Sequence, residues 1–275
     1  MNLADPILPV ELTVDGLLAT LDLLKITRAG AVMHLRLNRA AKRNAISDDL
    51  ILQIHTALLH LPTDVGAVLI SGEGAHFCAG LDLSALVERD IGGAVLHSRS
   101  WHVAFDALQY GRVPVVAALH GAVVGGGLEL ASACHIRVAD DSAYFGLPEG
   151  QRGLFVGGGG SVRIPRLIGV ARMTDMMLTG RVYAAEEAER IGLVQYRVAA
   201  GEAVAKGMEL AQKAARTAPM TAYAVMHALP RIAEQSPAEG LFTESLMSAV
   251  AASTPEAQAR LQAFLEGKAS KVVKS

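Results

Sequence analysis

Short apolar runs alternate with segments of helical periodicity along the first 200 residues of the chain. The runs are rich in β-branched residues and are bounded by Gly, Pro or polar residues, which predicts strands. The predicted strands are 23–28, 31–37, 66–72, 113–121, 135–140 and 143–146. Behind Asp48 and Asp49, apolar side chains from Leu50 to Leu58 recur every three or four positions, which predicts a helix. Strands that alternate with helices in this way predict an α/β fold.

The last part of the chain, from 201 to 275, has an almost continuous helical pattern instead. Capping sequences with a proline at the first helical position, at 236–239 and 253–256, predict two helix starts. The second helix would carry an apolar face formed by Ala257, Leu261, Phe264 and Leu265. We therefore predict an N-terminal extension at 1–22, a core that holds the active site at 23–200, and a C-terminal helical oligomerisation region at 201–275.

Composition narrows the classes of protein and partner. Hydrophobic residues make up 51% of the chain and charged residues only 19%, which excludes a disordered protein and predicts apolar surface covered by partner subunits. The net charge of −2 argues against a nucleic-acid partner. The longest uncharged stretch, 113–128, is shorter than a membrane span, so no membrane partner is expected. Two cysteines are too few for a disulfide framework, and the scattered histidines predict no metal site. The N-terminal segment is acidic and lacks a targeting pattern, so we expect a cytoplasmic protein.

Two glycine-containing motifs offer backbone N–H groups at predicted helix starts. In HFCAGLDLSAL at 76–86, a strand enters a turn at Ala79 and Gly80 before a helix begins. In HGAVVGGGLELASAC at 120–134, three consecutive glycines precede a helix. Free N–H groups at a helix start bind negative charge, and glycine lets a ligand approach the backbone closely. The first motif is also compatible with an ordinary turn, whereas three glycines destabilise a helix by about 1 kcal/mol each and so imply a specific requirement.

Two carboxylates accompany these turns. Glu129 lies in the first helical turn after the triple glycine, and Glu149 follows Pro148 in YFGLPEGQRG at 144–153. Two carboxylates in different environments can divide the roles of general acid and general base. The alternatives are that Glu129 only complements the helix dipole and that Glu149 only begins a helix.

In this order and spacing, these motifs resemble those of the crotonase family (enoyl-CoA hydratase/isomerase). The segments LNRAAKRNAIS at 37–47, RLIGVARMTDMMLTGR at 166–181 and AAEEAERIGLV at 184–194 extend the resemblance from about Leu23 to the C-terminus. It implies an α/β fold, a crotonase-like spiral of ββα units, followed by a C-terminal helical trimerisation subdomain. It also implies a homo-oligomer (a trimer or a dimer of trimers) and an acyl-CoA substrate, with coenzyme A as part of that substrate and no prosthetic group.

The resemblance also implies the site residues. Two backbone N–H groups that polarise the thioester oxygen match Ala79 and Gly126, and two carboxylates that handle a water molecule match Glu129 and Glu149. Coenzyme A would contact Lys42, Arg43, Ala45, Ala79, Gly80, Leu81, Asp82, Leu83 and Lys268.

The chain departs from the family pattern at three positions. Val156 stands where the family usually has a proline, His135 replaces an aspartate, and Gly267 stands where a lysine often reaches a neighbouring subunit's coenzyme A. The acyl pocket is expected within 84–112, which holds three aromatic residues. They are Trp101, Phe105 and Tyr110.

The two carboxylates favour a hydratase that adds water across the C2–C3 double bond of a 2-enoyl-CoA. In this reading Glu149 protonates C2, and Glu129 positions and deprotonates the water. The alternatives are another crotonase reaction, either isomerisation or hydration coupled to thioester hydrolysis as in (methylthio)acryloyl-CoA hydratase. A non-catalytic RNA-binding relative is a further alternative, against which the net charge argues.

Overall fold

A computed structural model describes residues 12–85 and 88–268, which form two compact units that divide after Ala215. The first half of the predicted N-terminal extension and the last residues of the C-terminal region lie outside the described residues. The predicted α/β fold is confirmed. None of the helices in the part of the chain described is both long and apolar enough to cross a membrane.

The strands of the first unit form two sheets. In chain order the strands are β1 Leu12–Thr13, β2 Leu24–Ala29, β3 Val32–Leu37, β4 Ala67–Gly72, β5 Val115–Leu119, β6 Ala122–Val124, β7 Ile136–Asp140, β8 Tyr144–Gly146, β9 Tyr183–Ala184 and β10 Tyr196–Val198. The larger sheet has the order β1-β2-β3-β4-β5-β7-β10, in which only the pairs β1–β2 and β2–β3 are antiparallel. The smaller sheet has the order β6-β8-β9.

The helices follow the same order along the chain. They are α1 Asp48–Leu59, α2 Ile91–Gln109, α3 Gly126–Ser132, α4 Gly160–Ile168, α5 Val170–Thr179, α6 Ala185–Arg190, α7 Ala203–Ala215, α8 Pro219–Tyr223, α9 Leu229–Ile232, α10 Pro237–Ala252 and α11 Pro255–Leu265. A π-helical turn at Ala224–Ala228 joins α8 to α9.

Strand β4 shows how the larger sheet is buried on both faces. Val68 and Ile70 pack into the main core, while Ala67 and Leu69 face the opposite way into a second cluster that includes residues of α7. The alternation follows from the period of two along a strand. Because both faces are covered, the strand is apolar throughout, which is the pattern that predicted it.

Two segments at the predicted boundaries belong to the first unit. Leu12 pairs with Arg28 in the sheet, and Leu18 and Leu21 are buried in the main core. Helix α7, which the change of pattern near 201 assigned to the C-terminal region, packs against the larger sheet. Its small residues fit closely there, since a Cβ at Gly207 would lie 2.8 Å from Leu69 Cδ1.

The second unit, from 216 onward, is helical, as its pattern predicted. Ser236 caps α10 in a full capping box with Glu239. The cap of α11 is Thr254 alone, whose side chain accepts a hydrogen bond from the N–H of Ala257. Within a single chain, Leu261, Phe264 and Leu265 are each more than half exposed.

Candidate active site

A cleft of about 330 Å³ opens in the first unit, where the turn at 79–83, helix α2, the start of α3 and the loop at 148–158 meet. Most of the lining is apolar, from side chains such as Leu81, Trp101 and Val156. Both predicted carboxylates, Glu129 and Glu149, line this cleft. The structure therefore brings together two of the groups that the motifs singled out.

Glu149 is an isolated acid in this apolar cleft. Its Oε2 is buried and has no hydrogen-bond partner among the residues described. Burial, together with the nearby negative charge of Glu129, raises the pKa of Glu149 to about 7. With this pKa, Glu149 is partly protonated at neutral pH and can donate a proton to a molecule in the cleft.

Glu129 has a different environment, although it lines the same cleft. Its side chain is buried, and Oε1 accepts hydrogen bonds from the N–H groups of Gly158 and Gly160 at 2.8 and 2.9 Å. Burial raises the pKa of Glu129, whereas these backbone hydrogen bonds and the positive charge of Arg163 oppose the rise. One carboxylate is thus fixed by backbone donors and the other is not, which favours different protonation states for the two.

Close approaches explain two of the three consecutive glycines. Gly125 has a left-handed backbone with φ of 54°, and a Cβ there would lie 2.5 Å from Oε1 of Glu149. A Cβ at Gly127 would lie 2.8 Å from Cβ of Cys78. The first contact would displace the Glu149 carboxylate, and the second would force apart the turn and α3.

The structure corrects the predicted oxyanion donor at Ala79. The Ala79 N–H donates a hydrogen bond to the carbonyl of Arg43 at 3.0 Å, so it is committed to the backbone. Leu81, two positions later, lines the cleft, as does Gly126. Neither the Leu81 N–H nor the Gly126 N–H donates to any group among the described residues. Leu81 and Gly126 therefore each bring an uncommitted backbone N–H group to the lining of the cleft.

Asp82 lies in the same turn and is bonded within the protein. Its carboxylate is buried and accepts hydrogen bonds from Arg39 at 2.8 Å and from the Ser84 hydroxyl at 2.6 Å. Hydrogen bonds from Ser84 and Arg39 lower the pKa of Asp82 to about 2. A buried, internally bonded anion braces the turn, and the contact of Asp82 with coenzyme A stays a prediction.

Of the other predicted coenzyme A contacts, those in the first unit lie around this braced turn. Gly80, Leu81 and Leu83 line the cleft. The Lys42 side chain is 54% exposed, and its Nζ donates to Ser84 Oγ at 2.9 Å. Ala45 accepts a hydrogen bond from Arg39 through its carbonyl. In the second unit, Lys268 pairs with Glu266 at 2.6 Å.

Asn44 is a buried residue of this region that the sequence analysis missed. Both Arg43 and Asn44 have left-handed backbones, with φ of 51° and 53°. The Asn44 side chain accepts from the N–H of Arg39 and donates to the carbonyls of Glu73 and His76 at 2.9 and 2.7 Å. These bonds hold the loop that places the Arg43 carbonyl against Ala79. Burial of an amide is not visible in a sequence, so the motif indicated only the charged Lys42 and Arg43 beside Asn44.

We expect Asn44→Ala to lower the free energy of unfolding by roughly 3 kcal/mol, since it leaves buried backbone groups without partners and strains the left-handed backbone. Asn44→Gly removes the same bonds without that strain, and it should be more stable than the alanine variant by about 1 kcal/mol. Urea unfolding of both variants measures the difference. Equal stabilities for the two variants and the native protein would contradict this role.

Within the predicted span of 84–112, the cleft is lined by residues of α2, of which one is aromatic. Trp101 lines the cleft, whereas Phe105 lies behind it in an edge-on contact, with ring centroids 5.9 Å apart. Tyr110 caps the end of α2 and is not part of the lining. The remaining α2 residues of the lining are Ala94, His97 and Ser98.

The three departures from the family pattern have clear local structures. Val156 is buried and lines the cleft. His135 accepts a hydrogen bond from the Val115 N–H at Nδ1 and bonds the Gln109 carbonyl through Nε2, so it joins β5 to the end of α2. Gly267 follows α11 with a left-handed φ of 71°.

Comparison with curated proteins places this site in context. A family model for enoyl-CoA hydratase/isomerase matches residues 27–272. The 2,3-dehydroadipyl-CoA hydratase of Escherichia coli (strain K12) is 33% identical over 243 residues, which cover 88% of this chain and 94% of that protein. The fatty acid oxidation complex subunit alpha of Shewanella sp. (strain W3-18-1) is 49% identical over 132 residues. That match covers 47% of this chain and only 19% of the longer protein.

Solved structures have the same fold. A protein of Rhodopseudomonas palustris CGA009, provisionally assigned as an enoyl-CoA hydratase, is 55% identical and superposes with a TM-score of 0.89, over 90% of this chain and 96% of that one. An enoyl-CoA hydratase of Bacillus anthracis is 30% identical with a TM-score of 0.83, over 90% and 97% of the two chains. The crotonase-like fold expected from the motifs is thereby confirmed.

Proposed function

The chain belongs to the enoyl-CoA hydratase/isomerase family, and on that premise we propose that it is an enoyl-CoA hydratase. The observation that supports this most strongly is the pair of carboxylates in one apolar cleft, one with its pKa raised to about 7 and the other held by two backbone N–H groups. Hydration needs both an acid and a base, and the two environments supply one of each.

The proposed reaction adds one water molecule to a 2-enoyl-CoA. Glu129, ionised, accepts a proton from the water, and the hydroxyl forms a bond to C3. Glu149, protonated, gives its proton to C2. The negative charge that develops on the thioester oxygen is stabilised by the N–H groups of Leu81 and Gly126. The sum of these transfers is the addition of water, and Glu149 regains a proton while Glu129 loses one before the next cycle.

The coenzyme A part of the substrate is proposed to lie beside the braced turn. Lys42 and Arg43 are exposed there, and their positive charges suit the phosphates of the ligand. Lys268 remains a proposed contact from the C-terminal region.

Product analysis tests this function. The protein is incubated with crotonyl-CoA, 3-butenoyl-CoA and 2,3-dehydroadipyl-CoA, and the products are separated by liquid chromatography with mass detection. The dicarboxylic substrate is included because one relative is a 2,3-dehydroadipyl-CoA hydratase and Arg152 lines the cleft. Formation of 3-hydroxyacyl-CoA from a 2-enoyl substrate supports the proposal. Conversion of 3-butenoyl-CoA alone would favour isomerisation, and release of free coenzyme A would favour coupled thioester hydrolysis.

We expect the rate of hydration to fall as the pH rises above about 7. Glu149 must be protonated to act as an acid, and its pKa is raised to about 7 by burial. The rate prediction is tested by a pH profile of kcat. A profile flat from pH 6 to pH 9, a range bracketing that pKa by roughly one to two units, would contradict it.

The raised pKa of Glu149 also affects the free energy of unfolding. The contribution of Glu149 to stability is fully present below 4.5, the ordinary pKa of a glutamate, and it is lost as the pH rises to about 7.

We further propose that the chain forms a trimer or a dimer of trimers. The second unit exposes Leu241, Phe242, Leu261, Phe264 and Leu265 by 57–71%, and a soluble protein seldom leaves so many apolar side chains uncovered. Light scattering should give three or six times the chain mass of 28.8 kDa. A stable monomer at micromolar concentration would contradict this assembly.

A further inference from the structure

Arg163 is a buried charged residue near the cleft that the proposed mechanism does not use. It lies on α4, and its side chain is only 7% exposed. All three nitrogen atoms of its guanidinium have an acceptor. Nε donates to Gln109 Oε1 at 2.6 Å, Nη2 donates to Asp106 Oδ1 at 2.6 Å, and Nη1 donates to the carbonyl of Gly158 at 3.0 Å.

The Gly158 contact connects Arg163 to the proposed base. The carbonyl of Gly158 faces Arg163, while the N–H of the same residue donates to Glu129 Oε1. Gly160, two residues on, gives Glu129 its second N–H at 2.9 Å. A Cβ at Gly158 would lie 2.9 Å from Phe105 and 3.3 Å from the Glu129 carboxylate, so the loop runs between the cleft and α2. Four glycines in a row, 157–160, have no side chains of their own to fix this path.

We propose that Arg163 is a positioning residue for the general base: by tying the Gly158 carbonyl to α2, it fixes the two backbone N–H groups that orient Glu129. The inference rests on the proposed function because it takes Glu129 as the base. The hydrogen bond between Arg163 and the Gly158 carbonyl is independent of that function. The side chain of Asp106 is 55% exposed and neutralises Arg163 at its outer end, so the guanidinium can be buried without an unpaired charge. Arg163 touches no atom of the substrate in this arrangement and acts through the loop.

A simpler possibility is that Arg163 only joins α2 to α4 and stabilises the fold. The two roles differ in what happens when Glu129 is absent. A residue that acts through Glu129 loses its influence on the rate once that carboxylate is removed, whereas the effects of a general structural weakening multiply.

The test is a double-mutant cycle with Arg163→Met and Glu129→Gln, measured with crotonyl-CoA, alongside binding of the unreactive butyryl-CoA. We expect Arg163→Met to lower kcat by about 10- to 100-fold, because a displacement on the order of 1 Å has effects of this size. Binding of butyryl-CoA should change by less than about threefold, since ground-state contacts are kept. In the Glu129→Gln background, Arg163→Met should change the residual kcat by less than about twofold. Equal losses in both backgrounds, or no loss in the native background, would overturn the proposal.

A control variant, a substitute variant and a measurement that needs no activity complete the test. Arg166→Met, on the same helix but exposed, is the matched control and should leave kcat unchanged. If Arg163→Met does not fold, Arg163→Lys in both backgrounds takes its place, because lysine keeps the charge and can reach only part of the acceptor set. Hydrogen exchange of the peptide that spans 153–162 should be faster in the Arg163 variant than in the Arg166 control. Hydrogen exchange can be measured without any enzymatic activity. If the protein hydrates no enoyl-CoA, the proposed function is refuted, and the exchange rates still decide whether Arg163 holds the loop.

Discussion

Glu149→Gln is expected to lower kcat for hydration of crotonyl-CoA by about 10²–10⁴-fold, the contribution of a positioned acid or base. The amide has nearly the same shape as the acid and cannot give its proton to C2. Because Glu149 Oε2 has no partner in the described residues, the substitution breaks no hydrogen bond there, and the fold should be retained. Glu129→Gln should cause a loss of the same size, since it removes the base.

Two controls separate chemistry from binding and folding. Butyryl-CoA should bind both variants with an affinity near that of the native protein. Glu186→Gln, at a glutamate whose side chain is 84% exposed on α6, should leave kcat unchanged. Near-native turnover by either active-site variant would remove that residue from its assigned role.

Gly125→Ala should also reduce turnover strongly. The new Cβ would lie 2.5 Å from Glu149 Oε1, which is too close for a stable contact, and the backbone φ of 54° disfavours any side chain. Glu149 or the start of α3 must then move, and a displacement on the order of 1 Å can lower kcat by about 100-fold.

Gly201→Ala is the control that separates the close contact with Glu149 from the backbone strain of an alanine at positive φ. Gly201 has a left-handed φ of 86°, but a Cβ there would meet no atom within 4 Å. Both variants should lose about 1 kcal/mol or more of unfolding free energy from strain, and only Gly125→Ala should lose activity. Equal kcat values for the two would show that the close approach to Glu149 has no functional importance.

The sequence could predict the fold class and both carboxylates for physical reasons. Strands such as β4, apolar because both faces are buried, stand out from amphipathic helices. Glu129 and Glu149 lie beside glycines or prolines whose backbone requirements are local and therefore visible. The boundary near 201 was harder to predict from the sequence. A helix that packs on a sheet and a helix in a separate helical unit can have the same pattern of apolar residues.

The other features of the site depend on contacts between segments that are distant in the sequence. The Arg43 carbonyl accepts the N–H of Ala79 and leaves that of Leu81 free. No pattern within the motif reveals this contact, because Arg43 lies in another segment. The bond between Asp82 and Arg39 likewise joins two separate segments. Arg163 lies in a helix where an arginine would ordinarily be read as exposed, and its burial against α2 makes it a candidate for positioning Glu129.

The most direct test of the hydratase assignment follows the oxygen atom of the water. The protein is incubated with crotonyl-CoA in water enriched in heavy oxygen, and the intact thioester products are analysed by mass spectrometry. The native protein should form 3-hydroxybutyryl-CoA that carries one heavy oxygen at C3. The Glu129→Gln and Glu149→Gln variants should each lose this product. Label found only in a free carboxylic acid, or no labelled thioester product at all, would contradict the hydratase assignment.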